Sequence, residues 1–229
     1  MTRHTASNPT HESQTDGPTT NRVQPDRPTT TESTTETYRT RRNLLKAVGV
    51  GAVAGFAGCL GGGGSNDEPI PDPIDLSGGK QDDNGGMIIG EHFGPNGQIF
   101  YRDHAPDGHD NPAWFHTLSM GLFPYHFDRQ REGWEAVVIY VTDYSSVDYE
   151  LREESGKTFI STHTGADTFG DATEMTYVVD SDVNGGMGKD LHPFSSADEA
   201  ESFASEHDGS TMSFDEVTPE WLSSYLARM

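Results

Sequence analysis

The chain has 229 residues and carries 15 Lys or Arg against 37 Asp or Glu, so its formal net charge is −22 at neutral pH. A field this negative repels phosphate groups, which excludes nucleic acid as a default partner. Lysine is scarce on this acidic chain, a composition typical of proteins kept soluble at high salt, and it indicates a halophilic source.

The first 58 residues are predicted to be a disordered segment and an export signal rather than part of the folded domain. Residues 1–38 are rich in Thr, Pro, Asn and Gln and have almost no aliphatic side chains, so we expect them to be disordered. Arg41 and Arg42 precede a mildly apolar run over residues 47–58, which resembles a twin-arginine export signal. That run is too short to span a bilayer stably.

Cys59 is the only cysteine, and small residues precede it as in a lipoprotein cleavage box. We therefore predict a lipidated Cys59, a flexible tether over residues 59–81, and a protein anchored by lipid to the extracytoplasmic face of the cell membrane. An ordinary signal peptide with an unmodified cysteine is the alternative. Removing residues 1–58 takes away seven of the basic and five of the acidic residues, which leaves a net charge near −24.

Residues 82–229 have the composition of a globular α+β domain. In a first module, residues 82–150, the pattern predicts a strand over 98–102, a helix over 112–124 that ends at Pro124, and a buried strand over 136–141.

A second module, residues 151–229, repeats this order. It contains predicted strands over 159–162, 175–179 and 211–214, a helix that begins at a capping box on Ser196, and a last helix that begins at Pro219. The sequence thus predicts two successive ββαβ modules with mixed or antiparallel sheets and a C-terminal helix, as after an internal duplication.

Two glycine-methionine triplets, Gly85-Gly86-Met87 and Gly185-Gly186-Met187, occur at similar places in the two modules. Methionine sulfur selects soft monovalent copper over harder ions, so the triplets suggest copper handling. His92 is close enough in sequence to Met87 to add an imidazole ligand. Structural roles in a core or a turn remain open for all three side chains.

Seven short segments together resemble the NosL family of lipoprotein accessory factors of nitrous oxide reductase. In order they are GMIIGEHFGPNGQ (86–98), AWF (113–115), YVTD (140–143), TYVV (176–179), GGMG (185–188), PFS (193–195) and FDE (214–216). The resemblance implies a membrane-anchored Cu(I) chaperone without catalysis. Its implied partner is nitrous oxide reductase or the copper-assembly transporter complex of that enzyme.

The sequence departs from this family where a thiolate is usual. NosL-like chains often carry Cys-x-x-Cys-Gly-Met, and both cysteine positions are here Asp82 and Gly85. The resemblance leaves Met87 and Met187, with possible help from His92, as ligands for Cu(I). Two thioethers and an imidazole bring no neutralising charge, so we expect weaker binding than at a thiolate site.

Other interpretations stay open. A degenerate NosL-like lipoprotein that binds a protein partner and no metal would also explain the lost cysteines. Met120 is expected to pack within the predicted helix. An enzyme is poorly supported because the chain has no nucleophile elbow and no phosphate-loop spacing. Four histidines have spacings that suggest zinc only weakly: His104, His109, His116 and His126.

Overall fold

The computed structural model describes residues 69–229. The predictions for Arg41, Arg42 and Cys59 lie outside these residues. Over the described part, no helix has both the length and the apolar character that a bilayer span requires.

Eleven strands and three α-helices make up this part of the chain. In order they are β1 Gly97–Arg102, β2 Ala113–Phe115, α1 Phe123–Arg131, β3 Glu135–Thr142, β4 Leu151–Glu154, β5 Lys157–Ile160, β6 Phe169–Asp171, β7 Thr176–Val179, β8 Val183–Gly185, β9 Gly188–Lys189, β10 His192–Phe194, α2 Ala197–Glu206, β11 Ser210–Ser213 and α3 Pro219–Leu226.

The strands form three sheets, with orders β2-β1-β3-β6, β10-β7-β11 and β4-β5-β8-β9. The series β1-β2-α1-β3 and β7-β10-α2-β11 both run ββαβ, and in both the first strand lies between the other two. The α+β class is confirmed. The division at residue 150 stays a prediction, and β6, from the second half, pairs with β3 of the first sheet.

The predicted helix over 112–124 is wrong at both ends. Ala113–Phe115 is strand β2, which pairs with Gly97–Ile99 of β1. One π-helical turn, Leu118–Leu122, then leads into α1, and Pro124 lies in the first turn of that helix. Proline is tolerated there because the first N–H groups of a helix have no intrahelical acceptor.

The predicted tether extends too far, because residues 74–81 lie against the domain. Leu76 is completely buried, and its N–H donates to the Thr164 carbonyl at 2.8 Å. The buried side-chain amide of Gln98 accepts from the Ile74 N–H at 2.9 Å and donates to the Ile74 carbonyl at 3.0 Å. This segment is therefore part of the fold.

Candidate metal site

Asp82 shapes the loop that carries the first glycine-methionine triplet. Its backbone N–H donates to the Met87 carbonyl at 2.8 Å, and its carbonyl accepts from the Gly86 N–H at 2.7 Å. Its Oδ1 accepts from the N–H groups of Asn84 and Gly85 at 2.8 and 2.7 Å. The residue at the family's first cysteine position thus holds the loop closed through its own side chain.

His116, which follows β2, is oriented by the same carboxylate. Its Nδ1 lies 2.7 Å from Asp82 Oδ2, and its backbone N–H donates to that oxygen at 2.7 Å. Burial raises the pKa of Asp82, but the hydrogen bonds from His116, Gly85 and Asn84 outweigh burial and leave the pKa below its usual value. The ionised carboxylate therefore accepts the Nδ1–H.

The other ring nitrogen of His116, Nε2, faces no hydrogen-bond donor or acceptor. His116 is 5% exposed, and its Nε2 is buried with no hydrogen-bond partner. In the tautomer that carries its single proton on Nδ1, an imidazole presents a lone pair on Nε2. A metal-binding histidine has the same arrangement, one nitrogen on a carboxylate and the other free for the ion.

The loop of the second triplet reaches the same place through His92. The His92 and His116 rings meet edge to face with centroids 5.7 Å apart. A Cβ on Gly186 would lie 2.8 Å from the His92 Cβ and 2.9 Å from the Phe93 carbonyl oxygen. The backbone of the second triplet can approach this closely only because residue 186 has no side chain.

The second loop is also tied to the π-helical turn. The carboxylate of buried Asp190 accepts from the N–H groups of Leu118, Ser119 and Leu191 at 3.2, 2.7 and 2.9 Å. Burial raises the pKa of Asp190 despite these donors. Asp190 therefore fixes the strand pair β8 and β9, which flanks Met187, against the residues that follow His116.

The two triplets share neighbours, because Gly85 of the first lies near the His116 ring, that ring meets His92, and Gly186 of the second lies against His92. Met87 and His92 are half-buried, and Met187 is 49% exposed. His92 and Gly186 line an open groove of about 510 Å³. The coordination by Met87, Met187 and His92 stays a prediction.

Sequence reasoning missed His116, which it had considered only as one of four zinc candidates. The other three lie elsewhere: His104 stacks on Trp134, His109 stacks on Trp114, and His126 lines a separate groove. Within residues 69–229, no group of three or more His, Cys, Asp or Glu side chains is placed to hold a metal. The available signal was the position of His116 directly after AWF (113–115), one of the segments that carry the family resemblance.

A comparison with protein families decides which family this is. The NosL model matches residues 73–222, well over half of the chain. The chain belongs to the NosL family. No curated protein matches the sequence significantly.

A solved NosL has the same fold. The crystal structure of the copper chaperone NosL from Shewanella denitrificans aligns with a TM-score of 0.51 and 22% identity, over 67% of this chain and 99% of that one. Sequence identity this low supports a shared architecture alone.

Proposed function

We propose that this NosL-family protein binds Cu(I) as cargo between its two glycine-methionine loops and delivers it for the maturation of nitrous oxide reductase. Family membership and the copper chaperone among its structural neighbours support a copper-binding accessory role. The protein is a carrier and not an enzyme. The proposed ligands are Met87, Met187, His92 and His116.

The observation that carries this proposal is the unpartnered Nε2 of His116. A buried acceptor without a hydrogen bond costs about 1–3 kcal/mol, which a bound ion would recover. Cu(I) accepts imidazole and thioether donors, and both kinds are present where the loops meet. The Asp82 carboxylate makes the imidazole more basic through its Nδ1–H and supplies the negative charge that thioethers lack.

The same ligand set suits a protein that must release its cargo. It contains no thiolate, because Asp82 and Gly85 occupy the family's cysteine positions. The Asp82 carboxylate is itself taken up by four hydrogen bonds, within the loop and to His116. Neutral donors hold Cu(I) more weakly than thiolates do, and half-exposed Met187 gives a partner's ligands access to the ion.

The finer part of the proposal is the location. We propose export by the twin-arginine signal at Arg41 and Arg42 and lipid attachment at Cys59, which would place the copper site on the extracytoplasmic face of the cell membrane. The proposed recipient is nitrous oxide reductase or its copper-assembly transporter complex. Metabolic labelling with a fatty acid, in wild type and in Cys59→Ala, tests the anchor. Label in both proteins or in neither contradicts it.

An anaerobic Cu(I) competition titration tests copper binding. The full chain competes with a chromogenic chelator in molar salt, beside Met87→Leu plus Met187→Leu and beside His116→Phe. We expect the wild type to bind one equivalent of Cu(I) and both variants to bind Cu(I) with clearly lower affinity. No competition by the wild type would contradict copper carriage and leave a metal-free protein-binding module, the role that the lost cysteines favour.

A further inference from the structure

Methionine is exposed on this domain far more often than leucine. Of the seven leucines in residues 69–229, only Leu151 is exposed, whereas three of the six methionines are. These are Met120, Met187 and Met229, with 41%, 49% and 47% of their surface exposed. Met120 therefore does not pack in the core as the sequence predicted. Burial of apolar groups does not explain such exposure, which suggests a use for the sulfur.

The three exposed methionines lie on neighbouring segments. Ser119, next to Met120, donates its N–H to Asp190 at 2.7 Å and its hydroxyl to the Lys189 carbonyl at 3.5 Å. The ε-methyl of Met229 lies 3.6 Å from where a Cβ on Gly188 would be. Met229 thus lies against Gly188, next to Met187, and the residue before Met120 is hydrogen-bonded to the residues that follow Met187.

Ion pairing and hydrogen bonding hold this arrangement. The Lys189 ammonium donates to the Asp180 carbonyl at 2.9 Å, and the Arg228 guanidinium contacts the Asp180 carboxylate at 3.3 Å. Asp180 therefore joins β9 to the residues that follow α3. These contacts of Asp180 hold the end of the chain, including Met229, beside the second triplet.

Met120 is also connected to the first triplet. The Asn84 side-chain amide donates to the Met120 carbonyl at 2.8 Å. Met120 is thereby held between the two glycine-methionine loops.

We propose that Met120 and Met229 form, with Met187, an outer thioether site for Cu(I) through which the ion enters and leaves the inner site. This inference rests on the proposed function and extends it to residues outside the glycine-methionine triplets. Thioethers bind soft Cu(I) without a proton change, so capture at the surface needs no deprotonation. Cu(I) then passes by ligand exchange at Met187, with no change in oxidation state.

Methyl NMR tests the outer site directly. The full chain is labelled with [ε-13C]methionine and titrated with Ag(I), a redox-inert substitute for Cu(I), in chloride-free nitrate buffer. We expect Met87 and Met187 to shift with the first equivalent and Met120 and Met229 with the second. The buried Met175 and Met212 are internal references that should not move.

The outcomes separate the two proposals. Shifts confined to Met87 and Met187 overturn the outer site and leave the proposed function intact. No shift at any methionine overturns both. Shifts of Met175 or Met212 equal to those of Met120 would indicate nonspecific unfolding and would also overturn the outer site.

A double variant provides a second readout. Met120→Leu plus Met229→Leu keeps the apolar surface and removes the sulfur, so a docking surface for an apolar partner would survive it. We expect this variant to lose binding of the second equivalent of Ag(I) and to capture Cu(I) from a chelator roughly tenfold more slowly. Leu151→Ala, which changes a similarly exposed apolar side chain, is the control and should change neither. Unchanged capture in the double variant would overturn the proposal.

Discussion

Asp82 Oδ2 lies 2.7 Å from His116 Nδ1, and both side chains are buried. This pair joins the loop of the first glycine-methionine triplet to the end of β2. A carboxylate therefore occupies the position where the family resemblance leads one to expect a thiolate. In the proposed site, its negative charge would act on the ion through the His116 ring.

Asp82→Asn tests this replacement. The asparagine side chain accepts hydrogen bonds only at its oxygen, because its nitrogen is a donor. Either the His116 Nδ1–H or the N–H groups of the loop therefore lose their acceptor. We expect Cu(I) affinity to fall by about 10- to 100-fold and the free energy of unfolding to fall by about 1–3 kcal/mol. Competition titration and urea unfolding measure the two effects.

Asp83→Asn is the matched control for that experiment. The Asp83 carboxylate accepts from the Trp114 N–H at 2.8 Å and contacts His109, and neither residue belongs to the proposed site. We expect lower stability with unchanged Cu(I) affinity. Equal losses of affinity in both variants would show that loop stability alone accounts for the effect of Asp82.

Gly85→Cys restores a thiol at the family's second cysteine position. A Cβ there would be in ordinary contact with its neighbours, 3.8 Å from the His116 Cε1. The new thiolate would stand beside the imidazole, so we expect Cu(I) affinity to rise at least about tenfold. Ser205→Cys, on the exposed side of α2, is the control for a thiol elsewhere. Equal gains in both variants would contradict the proposed position of the site.

Gly186→Ala should move the second triplet away from His92 and Phe93. The added methyl would meet the His92 Cβ at 2.8 Å and the Phe93 carbonyl at 2.9 Å, distances that force the backbone to move. We expect a loss of stability of about 1–3 kcal/mol together with weaker Cu(I) binding. Gly85→Ala, where a Cβ fits, should be far less destabilising in urea unfolding. The reverse order of stabilities would contradict the observed loop contact.

Buried His192 should make the fold sensitive to acid. Desolvation lowers the pKa of His192 to about 4, although its Nε2 lies 3.2 Å from the Val183 carbonyl. Since the folded pKa is below the unfolded one, this contribution is complete above about pH 6.5 and is lost as the pH falls toward 4. The shift corresponds to about 3 kcal/mol.

The measurement for His192 is the free energy of unfolding as a function of pH. His192→Phe should reduce the slope between pH 6.5 and 4, because the unfolded state then takes up one proton fewer. Tyr144→Phe, in the same aromatic cluster, removes no group that titrates in this range and should leave the slope unchanged. An unchanged slope in His192→Phe would contradict the assignment.

Locally determined features were predicted well from the sequence. The side chain of Ser196 caps α2 and α3 begins at Pro219, both as expected, and the side chain of Thr218 caps α3. Caps depend on residues three apart, which a sequence displays directly. Even here the capping box is half formed, because the Ser196 N–H donates to Ser145 Oγ and not to Glu199.

The site was only partly predictable because its contacts are distant in sequence. Asp82 and His116 are 34 positions apart and meet because the chain at residues 81–83 runs alongside β2. The helix predicted over 112–124 concealed the pairing of residues 81–83 with β2. The spacing of Trp114, Phe115 and Leu118 fits a helix, but it also fits a short strand followed by a turn. The residues themselves identified the triplets, and the family resemblance linked them to copper. Neither could identify a histidine that lies beside an aspartate 34 positions away in sequence.

The most direct test of a His116-centred copper site is the ring 15N spectrum of the full chain labelled with [15N]histidine, recorded before and after one equivalent of Ag(I) in nitrate buffer. The structure predicts a large change in the 15N chemical shift of His116 Nε2, while Nδ1 keeps the proton that it donates to Asp82. Stoichiometric Ag(I) binding with unchanged His116 ring signals would contradict the account.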